Sequence, residues 1–299
     1  MTKAAVNEPG KYIVQLNMNR LEGRMLRYPA RNRSLEILLV GDYPSNIEYW
    51  WGLIRLLHDY GSVTMGDLPG LGGMDEFYKI NKQPTLDNYA DYLASFIKLR
   101  YKRRHIVIFG VGFGFVVITR MLQNYPEMAE RVKCLVSLGG YTDHDDFNRS
   151  KFSYYLQHYF YALLSQRLIA TLVAPIFNER FLRRYYLLRS SNKSDPEMIR
   201  LVETTIRRWL SGNLRTMATI SYQLGWFSNT TRPVNLPLVH VQTPDELLSY
   251  RRIEQRLKVI YPELKILSTN RYNRYPLKQD KRSAVVYMPL ELRQLLKSL

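Results

Sequence analysis

Residues 110 to 114 read Gly110-Val111-Gly112-Phe113-Gly114 and follow the apolar run His105-Ile106-Val107-Ile108-Phe109. A strand that turns sharply into a helix through alternating glycines can serve two chemistries. It can cradle a phosphate on the N–H groups of the helix start, or hold a nucleophilic side chain at the apex of the turn, above the sheet. The apex here is Gly112, which has no side chain to attack with. The phosphate reading fits poorly too. Dinucleotide loops run Gly-x-Gly-x-x-Gly on the first strand, with an acid about 20 positions on. This loop has a different spacing, comes well into the chain, and is followed by a strand, Val132 to Leu138, that ends without an acid.

A second candidate is Asp143-His144-Asp145-Asp146, just after that strand. One imidazole among carboxylates could ligate a metal or act as an acid–base pair, with His144 and Asp145 as the groups concerned. Adjacent residues in an extended loop point apart, so at most two are expected to converge. The plainer alternative is a capping and hinge role at the start of a helical region. His58, His105, His158 and His240 lie scattered without ligand spacing. Neither a metal nor another cofactor is expected.

The elements that must position these groups can be read from pattern. Leu35 to Gly41, Ser62 to Gly66, His105 to Phe109 and Val132 to Leu138 are short β-branched or apolar runs. Between them lie helical stretches at 46–59, at Thr85 to about Leu99, and at Phe113 to Tyr125 ahead of Pro126. Lys11 to Asn17 and Met25 to Tyr28 read as edge strands. The alternation predicts an α/β fold with a mostly parallel sheet covered by helices on both faces. Residues 143–232 interrupt it with helical, tyrosine- and arginine-rich sequence. It resumes with a strand at 236–242, a helix at 249–260, a strand at 264–268 and a helix from about Leu290.

A chain of 299 residues that is 46% hydrophobic can bury a full core. The single cysteine, Cys134, lies in an apolar strand, which excludes intrachain disulfides and suggests a reducing compartment. With no apolar run long enough to span a membrane and no leader pattern, a cytoplasmic location is expected. The formal charge is +17, and the excess is uneven: residues 149–232 carry a net +9 and residues 249–299 a net +8. Such charge predicts attraction to anionic partners, or simply solubility.

The order of elements, together with Glu48-Tyr49-Trp50, Asp67-Leu68-Pro69-Gly70-Leu71-Gly72, Tyr89-Ala90 and Tyr125-Pro126-Glu127, resembles the α/β-hydrolase superfamily. The resemblance implies a hydrolase core at 1–142 and 233–299 with a helical cap at 143–232. It also implies where a catalytic triad would stand: the nucleophile at Gly112, the carboxylate at Asp245, the histidine at Arg274. The oxyanion donors would be the N–H groups of Tyr43 and Phe113, next to Gly41-Asp42 where the family carries His-Gly. Nucleophile and base are therefore both absent, and arginine cannot act as a general base. Asp245 could pair with Arg274 instead, and the Asp42 charge would oppose a developing oxyanion. A similar Gly-Val-Gly-x-Gly elbow occurs in the non-enzymatic N-myc downstream-regulated family.

The expected function is that of a hydrolase-fold protein without serine-hydrolase chemistry, binding a hydrophobic small molecule or lipid, an anionic membrane surface or a protein partner. The alternative is an active hydrolase of esters or lipids with relocated groups. Nucleic acid is disfavoured for want of a reading motif. In the insert, Phe152, Leu156, Phe160, Leu163 and Leu164 recur at helical spacing. They are expected to cover the pocket, or else, with Arg167 among them and Arg180, Arg183, Arg184 and Arg189 downstream, to lie on an anionic membrane.

Overall fold

The computed structural model describes residues 8–30, 35–102, 105–189, 196–242, 248–269 and 281–299. Among the described residues, eight strands form one sheet: β1 (Ile13–Met18), β2 (Leu21–Tyr28), β3 (Glu36–Val40), β4 (Ser62–Gly66), β5 (Ile106–Val111), β6 (Val132–Leu138), β7 (Leu238–Gln242) and β8 (Leu264–Ser268). Their order is β1-β2-β4-β3-β5-β6-β7-β8. The six strands from β4 to β8 pair in parallel, and the β1–β2 hairpin joins antiparallel at the β4 edge. Every residue of β3 and β5 is buried, as a parallel strand covered on both faces requires.

Alternate residues of each strand serve opposite layers. Leu38, Val40, Ile106 and Ile108 pack with α2 (Leu86–Arg100) and α3 (Phe113–Asn124). Ile37, Leu39, Val107 and Phe109 pack with α1 (Trp51–Leu57) on the other face. The helix expected at 46–59 is a 3-10 turn, Ile47–Trp50, running into α1. The Asn46 side chain opens the turn by accepting from the Tyr49 N–H at 3.0 Å. Thr85 caps α2 as its type predicts, its hydroxyl accepting from the Asn88 N–H at 3.1 Å.

Among the described residues, five α-helices lie between β6 and β7: α4 (Lys151–Leu164), α5 (Arg167–Val173), α6 (Glu179–Arg189), α7 (Pro196–Leu210) and α8 (Leu214–Gln223). Helix α8 is the root of this insert. Its Met217 and Ile220 are buried in the core, and the Asn213 N–H before it donates to the Gly70 carbonyl at 2.9 Å. After β7 come α9 (Tyr250–Ile260), a short α10 (Lys281–Ala284) that the pattern does not predict, and α11 (Leu290–Ser298). Burial pushes the Cys134 thiol up to about 11, so the lone cysteine is an inert core residue.

The expectation that the apolar stripe of α4 covers a pocket is overturned. Of that stripe only Leu164 is buried, while Phe152, Leu156, Phe160 and Leu163 are exposed. Both sides of α4 are apolar enough to pack, and the side that does so carries Tyr154 and His158, which meet α8 and the turn after it. The Tyr154 hydroxyl donates to the Gly225 carbonyl at 2.8 Å, and the His158 ring lies 4.6 Å from that of Tyr222. Among the described residues no helix is long and apolar enough to cross a membrane.

Candidate functional site

The glycine turn has the geometry its spacing predicts. Strand β5 ends at Val111, Gly112 takes φ +48° and ψ −114°, and α3 begins at Phe113. That φ lies in the region that favours glycine. A Cβ on Gly114 would fall 2.2 Å from the Val40 carbonyl oxygen, so α3 sits against β3 as closely as backbone allows. The turn therefore presents residue 112 at the parallel strands' carboxyl ends, where open α/β sheets place their ligands.

The space a side chain at 112 would occupy is filled by Asp42. A Cβ built on Gly112 would lie 2.5 Å from Asp42 Oδ1. That same oxygen accepts the Phe113 N–H at 2.9 Å. The Asp42 carboxylate thus stands on a donor that would stabilise a transition-state oxyanion. Its charge would repel such an anion, which is the opposite of what acyl transfer requires.

Asp42 is held from two sides. The guanidinium of Arg208, at the end of α7, lies 3.6 Å from Asp42 Oδ2, donates from Nε to the Pro44 carbonyl at 2.9 Å, and stacks 4.5 Å above the Tyr49 ring. Burial pushes the Asp42 carboxyl above the usual carboxylate range; the Arg208 charge and the N–H groups of Phe113 and Tyr43 pull the other way. The pair keeps partial solvent contact, 25% for Arg208 and 31% for Asp42, so water screens it.

Aromatic side chains close the space above. The Tyr43 ring meets Phe113 edge-on at 5.6 Å, and its hydroxyl is hydrogen-bonded to Ser221 of α8. Burial raises the phenols of Tyr43, Tyr89 and Tyr141 far above their ordinary value, so all three stay neutral. A cavity beside Phe113, lined also by Leu86, Ile220 and Phe227, measures about 10 Å³. That is room for about one water, against the ~300–1,000 Å³ of small-molecule pockets.

The other two triad positions, Asp245 and Arg274, lie outside the described residues, and so does their suggested pairing. The second candidate cluster is drawn together more tightly than expected. Asp143, His144 and Asp145 each present one ligand atom within 4.8 Å of the others, where convergence of two at most was expected. The convergence comes from a capping box. The Asp143 carboxylate accepts the Asp145 N–H at 2.9 Å, and the Asp146 carboxylate accepts the Asp143 N–H at 3.0 Å. A cation already serves these acids: Arg256 of α9 lies 2.6 Å from Asp146, 3.5 Å from Asp143 and 3.8 Å from Asp145. His144 Nδ1 lies 3.2 Å from the Phe227 carbonyl and 3.0 Å from Asp143. The arrangement is a capped turn clamped by Arg256, with Asp143, His144 and Asp146 partnered within the protein.

Sequence reasoning named Asp42, Tyr43 and Phe113 but missed Arg208, Tyr49 and Ser221. Arg208 is one of several arginines in a basic helix, and nothing local marks it as the one that reaches Asp42. A second buried polar pair, His240 Nδ1 and Ser137 Oγ at 3.0 Å, links β7 to β6 within the core.

A family model described as alpha/beta hydrolase fold matches residues 37–238. Solved structures match almost the whole chain at low identity. An esterase from Thermogutta terrifontis aligns at 15% identity and a TM-score of 0.62, covering 95% of this chain and 99% of its own. Cfl2 from Burkholderia cenocepacia aligns at 16% and 0.66, covering 95% of each chain. An epoxide hydrolase of Bacillus megaterium aligns at 12% and 0.62, covering 95% and 99%. These likenesses are of fold. No curated protein matches the sequence.

Proposed function

The chain belongs to the alpha/beta hydrolase fold family, and from that premise we propose that it is a binding protein that has given up covalent acyl transfer and acts through the surface of its inserted helices. The observation that carries this reading is the Asp42 carboxylate on the Phe113 N–H, in the volume a nucleophile at 112 would need. A serine hydrolase needs a nucleophile, a base and an empty oxyanion site. Here the nucleophile position is glycine, the position aligned with the base is arginine, and the donor is taken by a carboxylate. The cavity beside Phe113, at about 10 Å³, leaves no room for a small apolar ligand there.

The rival reading is a hydrolase with relocated groups, and what speaks for it is the raised carboxyl of Asp42 in a partly closed site. A fluorophosphonate probe and a panel of p-nitrophenyl esters, applied to the wild type and to Gly112→Ser, separate the two. The expected result is no labelling and no turnover in either. Labelling of the wild type, or ester turnover abolished by Asp42→Asn, Asp245→Asn or His144→Ala, overturns the reading.

A further inference from the structure

We propose that the outer surface of α4 and α5 seats the protein on an anionic lipid bilayer, with its apolar side chains entering the interface and its cations meeting lipid headgroups. This names the partner for the surface use proposed above and rests on that reading. Along α4, Phe152 is 79% exposed, Leu156 60% and Tyr159 66%; on α5, Leu168 is 78% exposed and Leu172 75%. Positions 152, 156 and 159 fall on one side of α4, and 168 and 172 on one side of α5. The opposite sides are the packed ones: Tyr154, His158 and Leu164 in α4 and Ala170 in α5 turn toward the protein, and α5 packs on both α4 and α8. Large apolar side chains exposed together on adjoining helices mark an interaction surface.

Charge selects the partner. From Phe147 to Asn178 the chain contains no Asp or Glu, while Arg149, Lys151 and Arg167 are exposed. A second copy would bring cations against cations with no acid to meet them. Nucleic acid would find phosphate contacts and, in Phe152 and Tyr159, rings to stack on, but it would leave the aliphatic Leu156, Leu168 and Leu172 without an apolar partner. An anionic bilayer satisfies both halves of the surface, apolar side chains in the acyl boundary and basic ones at the headgroups. With 14 residues, α4 is too short to cross a bilayer, which takes about 20, so it lies in the interface plane.

The test uses the full chain and sedimentation with vesicles of phosphatidylcholine alone or mixed with phosphatidylserine. Binding is expected to the mixed vesicles, at least about tenfold tighter than to phosphatidylcholine, and weakened by salt. Each cation is worth about fivefold, so Lys151→Glu with Arg167→Glu should weaken it by at least about 25-fold. Phe152→Ser, Leu156→Ser and Leu168→Ser combined should abolish it with the circular dichroism spectrum unchanged, since all three side chains are exposed. A tryptophan placed by Leu156→Trp should be quenched by brominated acyl chains. The proposal is overturned if folded, monodisperse protein ignores phosphatidylserine vesicles, or if the triple variant binds them like the wild type. It is equally overturned if the triple variant dissolves a dimer seen by analytical ultracentrifugation, or if single-stranded nucleic acid binds more tightly than the vesicles. Ester turnover with vesicle binding intact would remove the closed-site reading alone; vesicle failure with no turnover would remove this one alone.

Discussion

At residue 112 two facts of different origin coincide. The turn demands a positive φ, and the space above it belongs to Asp42. Introducing a Cβ by Gly112→Ala therefore carries a strained-backbone cost of about 1–3 kcal/mol and a steric cost of about 1 kcal/mol or more for displacing the carboxylate. The two separate in a double-mutant cycle. In an Asp42→Gly background only the backbone part should remain, giving a coupling of about 1–2 kcal/mol in urea denaturation midpoints. Additive effects would mean that Asp42 does not occupy the volume above Gly112. The pairing also explains why Gly112→Ser is expected to confer no activity: a new hydroxyl would arrive where a carboxylate already stands.

At the scale of elements, the insert is fastened to the sheet by the segment after β6. The Asp146 carboxylate is fully buried and accepts from the Thr142 N–H at 2.7 Å, the Thr142 hydroxyl at 3.0 Å and the Asp143 N–H at 3.0 Å, with Arg256 completing it at 2.6 Å. Arg256 reaches it from α9, so one guanidinium ties the base of the insert to the layer beside β7. Arg256→Met keeps much of the apolar stem and removes the charge. It should destabilise the fold by about 3–5 kcal/mol, since it strands a buried carboxylate. An unchanged denaturation midpoint would show that the acids are served by solvent and not by α9. Elsewhere in the insert, periodicity locates α4 without choosing its inner side. Both its sides carry large apolar residues, and the contacts of Tyr154 and His158 with the α8 region make the choice.

For the molecule as a whole, the pH dependence of stability has a core contributor besides the surface charge. His240 is buried between β6 and β7, and burial holds its imidazole down at about 4 from an ordinary 6.5. The folded state therefore binds this proton more weakly than the unfolded chain. The contribution is fully favourable above about pH 6.5, and it declines as pH falls toward 4, by about 3 kcal/mol in all. Asp42 and Asp67, whose carboxyls burial raises, slope the other way. The clean comparison is thus wild type against His240→Gln, with urea midpoints taken at neutral and mildly acidic pH. Their difference should shift toward the variant as pH falls; parallel curves would mean that His240 titrates in the folded state as it does unfolded.

The sequence by itself determined most of the elements and their order, and that residue 112 is a glycine. Strand and helix periods are local properties, and so is the absence of a side chain at Gly112 or of an imidazole at Arg274. The strand spans at 62–66, 132–138 and 264–268 and the Thr85 cap could be read directly from residue types. Only the tertiary structure decided what stands beside Gly112, and which side of an apolar helix faces out. A half-buried carboxylate takes whatever donors and cations the fold brings near, here Phe113 from the turn and Arg208 from α7. Between two apolar sides of one helix the choice falls to the distant groups each can meet, here the Gly225 carbonyl for Tyr154 and the Tyr222 ring for His158. Both outcomes depend on residues far apart in the chain, so neither is written in any local stretch of it.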